Sequence, residues 1–181
     1  MIRPISAIAA ILALAACGSE PGEPRTAEEV VAEAGTLEKP RPGQYSTSVE
    51  LTEFSVPGLP PQQAEQLRAM MGNVQQEGSS YCLTEAEANK GFEETVKRMT
   101  EGNGQMKCTF DRFEAEGSKL DAALSCTGPQ GMDAKIALNG TTGAEASSMR
   151  MKMSQKAPMI PAGEMRMEMK MDSKRTGDCP G

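Results

Sequence analysis

The chain has 181 residues, 25 acidic against 19 basic side chains for a formal net charge of −6, 14 methionines, five cysteines and neither tryptophan nor histidine. The acidic balance argues against a nucleic-acid partner, which needs a basic stripe to displace counterions. The absence of histidine removes Ser-His-Asp and Cys-His nucleophilic systems, His-containing zinc sites and the commonest general base near neutral pH.

The N-terminus carries the strongest local signal. Behind Met1-Ile2-Arg3, an apolar run from Ile5 to Ala16 is too short to span a bilayer, which takes about twenty residues, but suits the core of an export signal. It closes on Leu14-Ala15-Ala16-Cys17, the form of a bacterial lipobox. The expectation is a signal peptide over 1–16, cleaved before Cys17, with the Cys17 thiol acylated and the chain held on a membrane by that lipid. Gly18 rather than Asp follows the cysteine, which points to the outer membrane, facing the periplasm, in a bacterial cell envelope. Cleavage removes Arg3, so 18 basic side chains remain against 25 acidic ones and the net charge moves from −6 to −7. Residues 17–41 are rich in Glu, Pro and Gly and poor in large apolar side chains, and read as a flexible acidic tether. Thr26-Ala27-Glu28-Glu29 is a capping box ahead of Val30 and Val31, but so short a helix is marginal alone. Residues 42–181 are expected to form a single domain.

In that domain Tyr45, Thr47, Val49 and Leu51 alternate as a half-buried first strand. Pro57, Pro60 and Pro61 stop it, and Pro61 opens a helix with Ala64, Leu67, Met71 and Val74 at helical spacing. After Tyr81-Cys82-Leu83, Thr84 and Glu87 cap a second helix bearing Phe92, Val96 and Met99, ended by Gly102 to Gly104. Glu85, Glu87, Glu93 and Glu94 are carboxylates by type suited to acid–base work, but their setting reads as a solvated helix face.

Strands and turns follow. Cys108 and Phe110 face Cys126 and Leu124 in a hairpin with a three-residue loop, Glu116-Gly117-Ser118. A cross-strand pair in that register is within disulfide reach, which predicts Cys108–Cys126 and leaves Cys82–Cys179 as the second bond of an oxidising compartment. A site for a metal on all four cysteines lacks C-x-x-C spacing. Ala134, Ile136 and Leu138 run into Asn139-Gly140, read as a two-residue hairpin turn that sets Ile136 against Gly143. Parity then puts Met149, Met151 and Met153 on the face of Ile136. Past Pro158, Pro161 and Gly163, Met165, Met167, Met169 and Met171 alternate strictly with Arg166, Glu168, Lys170 and Asp172. If Met153 lies opposite Met167, Met151 faces Met169 and Lys152 meets Glu168 on the reverse side. The expected fold is α+β: an antiparallel sheet of about six strands, with two helices inserted after the first strand to cover its apolar face, braced by disulfides.

The methionine ladder is the one unusual feature. Its plainest meaning is a hydrophobic sheet face in which flexible Met fills irregular gaps. The functional reading is an adaptable surface for an apolar ligand or envelope partner, formed by Met149, Met151, Met153, Met165, Met167, Met169 and Met171. The alternatives are a soft-metal site for Cu(I) or Ag(I) on Met151, Met153, Met167 and Met169, and a purely structural or interaction module. No catalytic residues and no cofactor are expected, and the working function is that of a non-catalytic envelope lipoprotein.

Lys39-Pro40-Arg41-Pro42-Gly43-Gln44-Tyr45, Tyr81-Cys82-Leu83-Thr84, Cys108, Cys126 and Arg175-Thr176-Gly177-Asp178-Cys179 together resemble the bacterial domain of unknown function 3617 family over roughly Pro42 to Cys179. The resemblance implies a small exported protein with a disulfide-bearing domain, and carries over no catalytic residue.

Overall fold

The computed structural model describes residues 24–75, 79–102, 106–158, 160 and 163–180, with 71–75 described by backbone alone. The signal peptide, Cys17 and the start of the tether lie outside the described residues, as does the end of the Gly102 to Gly104 stop. In chain order the elements are α1 (Ala27–Ala34), β1 (Gly43–Ser55), α2 (Pro61–Gln75), β2 (Ser79–Leu83), α3 (Glu85–Lys90), α4 (Glu93–Glu101), β3 (Lys107–Glu116), β4 (Lys119–Gly128), β5 (Met132–Thr142), β6 (Ala146–Lys156) and β7 (Glu164–Gly177). A short 3-10 turn, Pro129–Gly131, joins β4 to β5. All strand pairs are antiparallel, in one seven-stranded sheet of order β2-β1-β7-β6-β5-β4-β3.

The sheet has seven strands where about six were expected. The additional one, β2, is polar and short, and pairs on one side only, with β1 from Gly43↔Leu83 to Thr47↔Ser79. An edge strand needs no apolar alternation, so its sequence announces little. β3 to β7 form a meander, and β1 closes against β7 instead of starting the series. The segment α3–α4 therefore carries the chain from one edge of the sheet to the other.

Helix placement also departs from expectation. Far from floating in a tether, α1 is capped by Thr26, whose side chain accepts from the Glu29 backbone while Glu29 accepts from the Thr26 backbone. Its Val30 is 0% exposed, and Ala34 and Leu37 are buried in one cluster with Val96, Phe110, Phe113, Leu120, Leu124 and Ala134. Tertiary burial supplies what an isolated helix of this length lacks. Gly91, at φ 56° and ψ −131°, breaks the expected second helix into α3 and α4, a conformation that L side chains avoid. α4 packs on β3 beside α1, at the edge remote from β1, and α2 lies against β1. On α2, Ala64 and Leu67 are half-buried, while the side chains of Met71 and Val74 lie outside the described set.

Two turn assignments shift. Cys108↔Cys126 and Phe110↔Leu124 pair as expected, but the turn is the two residues Gly117-Ser118 and the odd residue, Asp111, is a bulge inside β3. Asn139-Gly140 is not a turn: β5 runs through it, Gly140 pairs with Met149, and the reversal comes at residues 143–145. Ile136 therefore faces Met153 rather than Gly143, although the parity of β6 is unchanged. Gly140 is needed there for close approach, since a Cβ would stand 2.8 Å from both the Met149 Cα and its Sδ.

The outer edge of β3 is occupied by the segment leading into α1. The Arg25 backbone N–H donates to the Phe110 carbonyl at 2.7 Å and its guanidinium to the Phe113 carbonyl at 3.3 Å, while Glu33 accepts from the Ala115 N–H at 2.9 Å. Arg25 and Glu33 are themselves ion-paired at 2.8 Å.

Candidate functional site

β6 and β7 bring the methionines together in register: Met149↔Met171, Met151↔Met169 and Met153↔Met167. Met165 lies opposite Gln155 at the end of the row. The face continues through Leu138 and Ile136 on one side and through Val49, Leu51 and Phe54 of β1 on the other. A shift in the β1–β7 pairing between Leu51 and Glu53 is what lets Phe54 rather than Glu53 meet Met167.

Met167 is buried at 6% exposure, and the other six are half-buried. Met149 packs against the main core. α1 and α4 stand on the β3 side of this face, over the main core, and the methionine strands lie at the margin of that footing. Flexible thioether side chains placed there fill irregular space and can also repack around an apolar guest.

The reverse side of the same strands is charged. Glu168, only 12% exposed, takes hydrogen bonds from Arg150 and from Lys152, the latter at 3.1 Å, and they hold its carboxyl below the usual range. Lys152 and Glu168 are directly opposite, as the alternation implied. Asp172 is likewise lowered, by hydrogen bonds from Lys170 and from Ser148. A cavity of about 650 Å³ opens at one end of this polar face, with Lys107, Lys135, Lys156 and Arg166 on its lining. These residues went unnoticed in the sequence, where they are spread across sixty positions and only the sheet order assembles them.

Both cysteine pairs are disulfides. Cys108–Cys126 joins facing positions of β3 and β4 with Cα atoms 4.0 Å apart, inside the core. Cys82–Cys179 ties β2 to the residues after β7 at 5.4 Å, across the start of β1, whose Gln44 pairs with both Cys82 and Gly177. Tyr45 is buried beside it, its ring stacked on Tyr81 at 5.6 Å and its hydroxyl within reach of the Arg41 and Ala144 carbonyls at 2.8 and 3.0 Å. Burial pushes that phenol up from its ordinary value.

The helix carboxylates occupy structural posts. Glu87 completes the Thr84 capping box, and the hydrogen bonds from the Thr84 side chain and backbone lower its pKa. Glu93 is lowered by Lys97 and Glu94 by Lys90 and then Arg98; Lys97 and Arg98 lie one turn on along α4, while Lys90 reaches across the Gly91 break from α3. Glu85 sits exposed in the first turn of α3. A group poised for proton transfer near neutrality would be shifted upward.

Neither the curated proteins nor the solved structures contain a match to this chain. The family model described as Protein of unknown function (DUF3617) matches residues 40–179, most of the chain, and the protein belongs to that family.

Proposed function

We propose that this protein is a non-catalytic lipoprotein of the bacterial envelope, anchored through Cys17, whose methionine-rich sheet face receives an apolar ligand or an apolar segment of an envelope partner. The observation that carries the reading is the in-register row Met149↔Met171, Met151↔Met169, Met153↔Met167, in which five of the six side chains are half-buried beside the α1–α4 footing and Met167 alone is buried. Such a surface can change shape at low cost because Met has three flexible torsions and a polarisable sulfur. The same facing pairs put several thioethers on one side of two adjacent strands, so a soft cation such as Cu(I) is the second reading.

Native mass spectrometry of the chain extracted from the envelope tests both. Substitution of Met151, Met153, Met167 and Met169 by Leu keeps the apolar volume and removes the sulfurs. An apolar adduct that survives this change but is lost in M151Q/M169Q supports the ligand reading. Stoichiometric copper lost in the Leu variant supports the metal. A bare mass that takes up neither leaves the face as packing alone. The anchor is tested separately, by an acyl mass on Cys17 that is absent from C17S.

A further inference from the structure

The face opposite the methionines holds a cation-lined cavity that the proposed function does not use. We propose that this cavity docks the domain onto anionic phospholipid headgroups of the membrane that carries it, with Lys107, Lys135, Lys156 and Arg166 as phosphate contacts.

Charge is the first argument. In a chain of net charge −6, the lining of this one cavity gathers those four cations against two carboxylates, Asp133 and Glu164. Cross-strand pairing assembles it: Lys107↔Thr127, Thr127↔Asp133, Asp133↔Lys156 and Lys156↔Glu164 form one row, and Lys135 and Arg166 stand in the next.

The second argument is which cations are already used. Elsewhere on this face Arg150 and Lys152 pair with Glu168, Lys170 with Asp172 and Arg112 with Asp121. Arg166 pairs with Glu164 at 2.7 Å. Lys107, Lys135 and Lys156 form no ion pair with any described residue, although Lys156 stands between Asp133 and Glu164 in register. Between them lie Thr109, Ser125 and Ser154, short side chains that leave the volume of about 650 Å³ open and whose hydroxyls donate to the Ser125 carbonyl, Asp111 and Glu164, so that the lysine ammonium groups are the donors left for phosphate oxygens.

The third argument is where the chain leaves for the membrane, and it rests on the proposed Cys17 anchor. Arg25 is hydrogen-bonded to Phe110, the neighbour of Thr109 on the cavity's β3 rim. From Arg25 back to Cys17 is eight residues, a reach of at most about 28 Å, comparable to the width of the sheet itself. The cation-lined end is thereby held near headgroups, whose negative surface potential attracts lysines within about a Debye length.

The test is flotation of the chain from residue 17 onward with Cys17→Ser, which carries neither lipid nor the apolar run 5–16 and so isolates the cavity. Vesicles of phosphatidylcholine alone are compared with vesicles containing phosphatidylglycerol, at low and raised salt. The expected result is binding only to the phosphatidylglycerol vesicles, weakened by salt, and reduced on the order of a hundredfold in K107Q/K135Q/K156Q, while the charge-matched K90Q/K97Q/K119Q binds as the parent does. Equal loss in both triple variants, or no flotation of the parent, overturns the proposal. Inorganic phosphate shifting the cavity amides in NMR spectra of a chain that does not float overturns it in favour of a soluble anion. Flotation of the C17S chain together with an unacylated wild-type Cys17 retains the docking site and defeats only the anchor.

Discussion

At the scale of single residues, Gly140 and Glu168 show how far local sequence can mislead or inform. Asn139-Gly140 has the composition of a hairpin turn, but the glycine is there because β6 passes too close for a side chain. Gly140→Ala is expected to destabilise the fold by about 1–3 kcal/mol through overpacking; an unchanged urea midpoint would show that β6 can move aside. Glu168, by contrast, was legible from strict alternation, which sets it against Lys152 on the polar side. Its carboxyl is lowered by hydrogen bonds from Arg150 and Lys152, so its contribution is complete above the unfolded value of about 4.3 and vanishes as pH falls through the lower folded value. Glu168→Gln should therefore lower Tm at neutral pH and leave it equal to wild type in strong acid; a gap that is constant with pH would contradict this. The cavity lysines could not be read from sequence, since no local pattern links positions 107, 135 and 156.

At the scale of elements, strands carried by i, i+2 alternation were predictable and helices dependent on distant partners were not. The methionine strands, the cysteine hairpin and the first strand all follow from period-two patterning. α1 was visible as a capping box but not as a core element, because its partners on α4, β3 and β4 lie sixty and more positions away. Val30→Ala should cost about 2 kcal/mol in unfolding free energy. The backbone amides of α1 are expected to exchange as slowly as those of β4, whereas tether-like exchange over 27–34 would detach the helix from the fold. The hairpin offers a subtler lesson. A three-residue loop and a two-residue turn plus a bulge consume the same number of residues, so the cysteine register survives either way, and only the position of Asp111 tells them apart.

Over the whole molecule, the two disulfides do unequal work. Cys82–Cys179 closes a separation of 97 residues and Cys108–Cys126 one of 18. In the chain-entropy picture their losses are about 4–5 and about 3 kcal/mol, so C82A/C179A should show the larger fall from that source in guanidinium unfolding, with repacking adding to the C108A/C126A cost. An equal or reversed order, after correction for the buried volume at Cys108 and Cys126, would show that the denatured chain is already compact. The long bond also holds β2 and the end of β7 on either side of β1, pairings whose partners are far apart in sequence and slow to find each other. The opposite rim of the sheet is handled differently. There Arg25 and Glu33 occupy backbone groups of Phe110, Phe113 and Ala115 that would otherwise template another strand. On the proposed Cys17 anchor, a protease cut between Cys17 and Arg25 would free the domain with its strap still on the β3 rim. A cut just beyond Leu37 would free the rim groups of Phe110, Phe113 and Ala115 together with the apolar surface under α1, and the nearest substitute for the missing strap is the same rim on a second molecule. The first cut leaves that rim covered; the second is expected to seed aggregates.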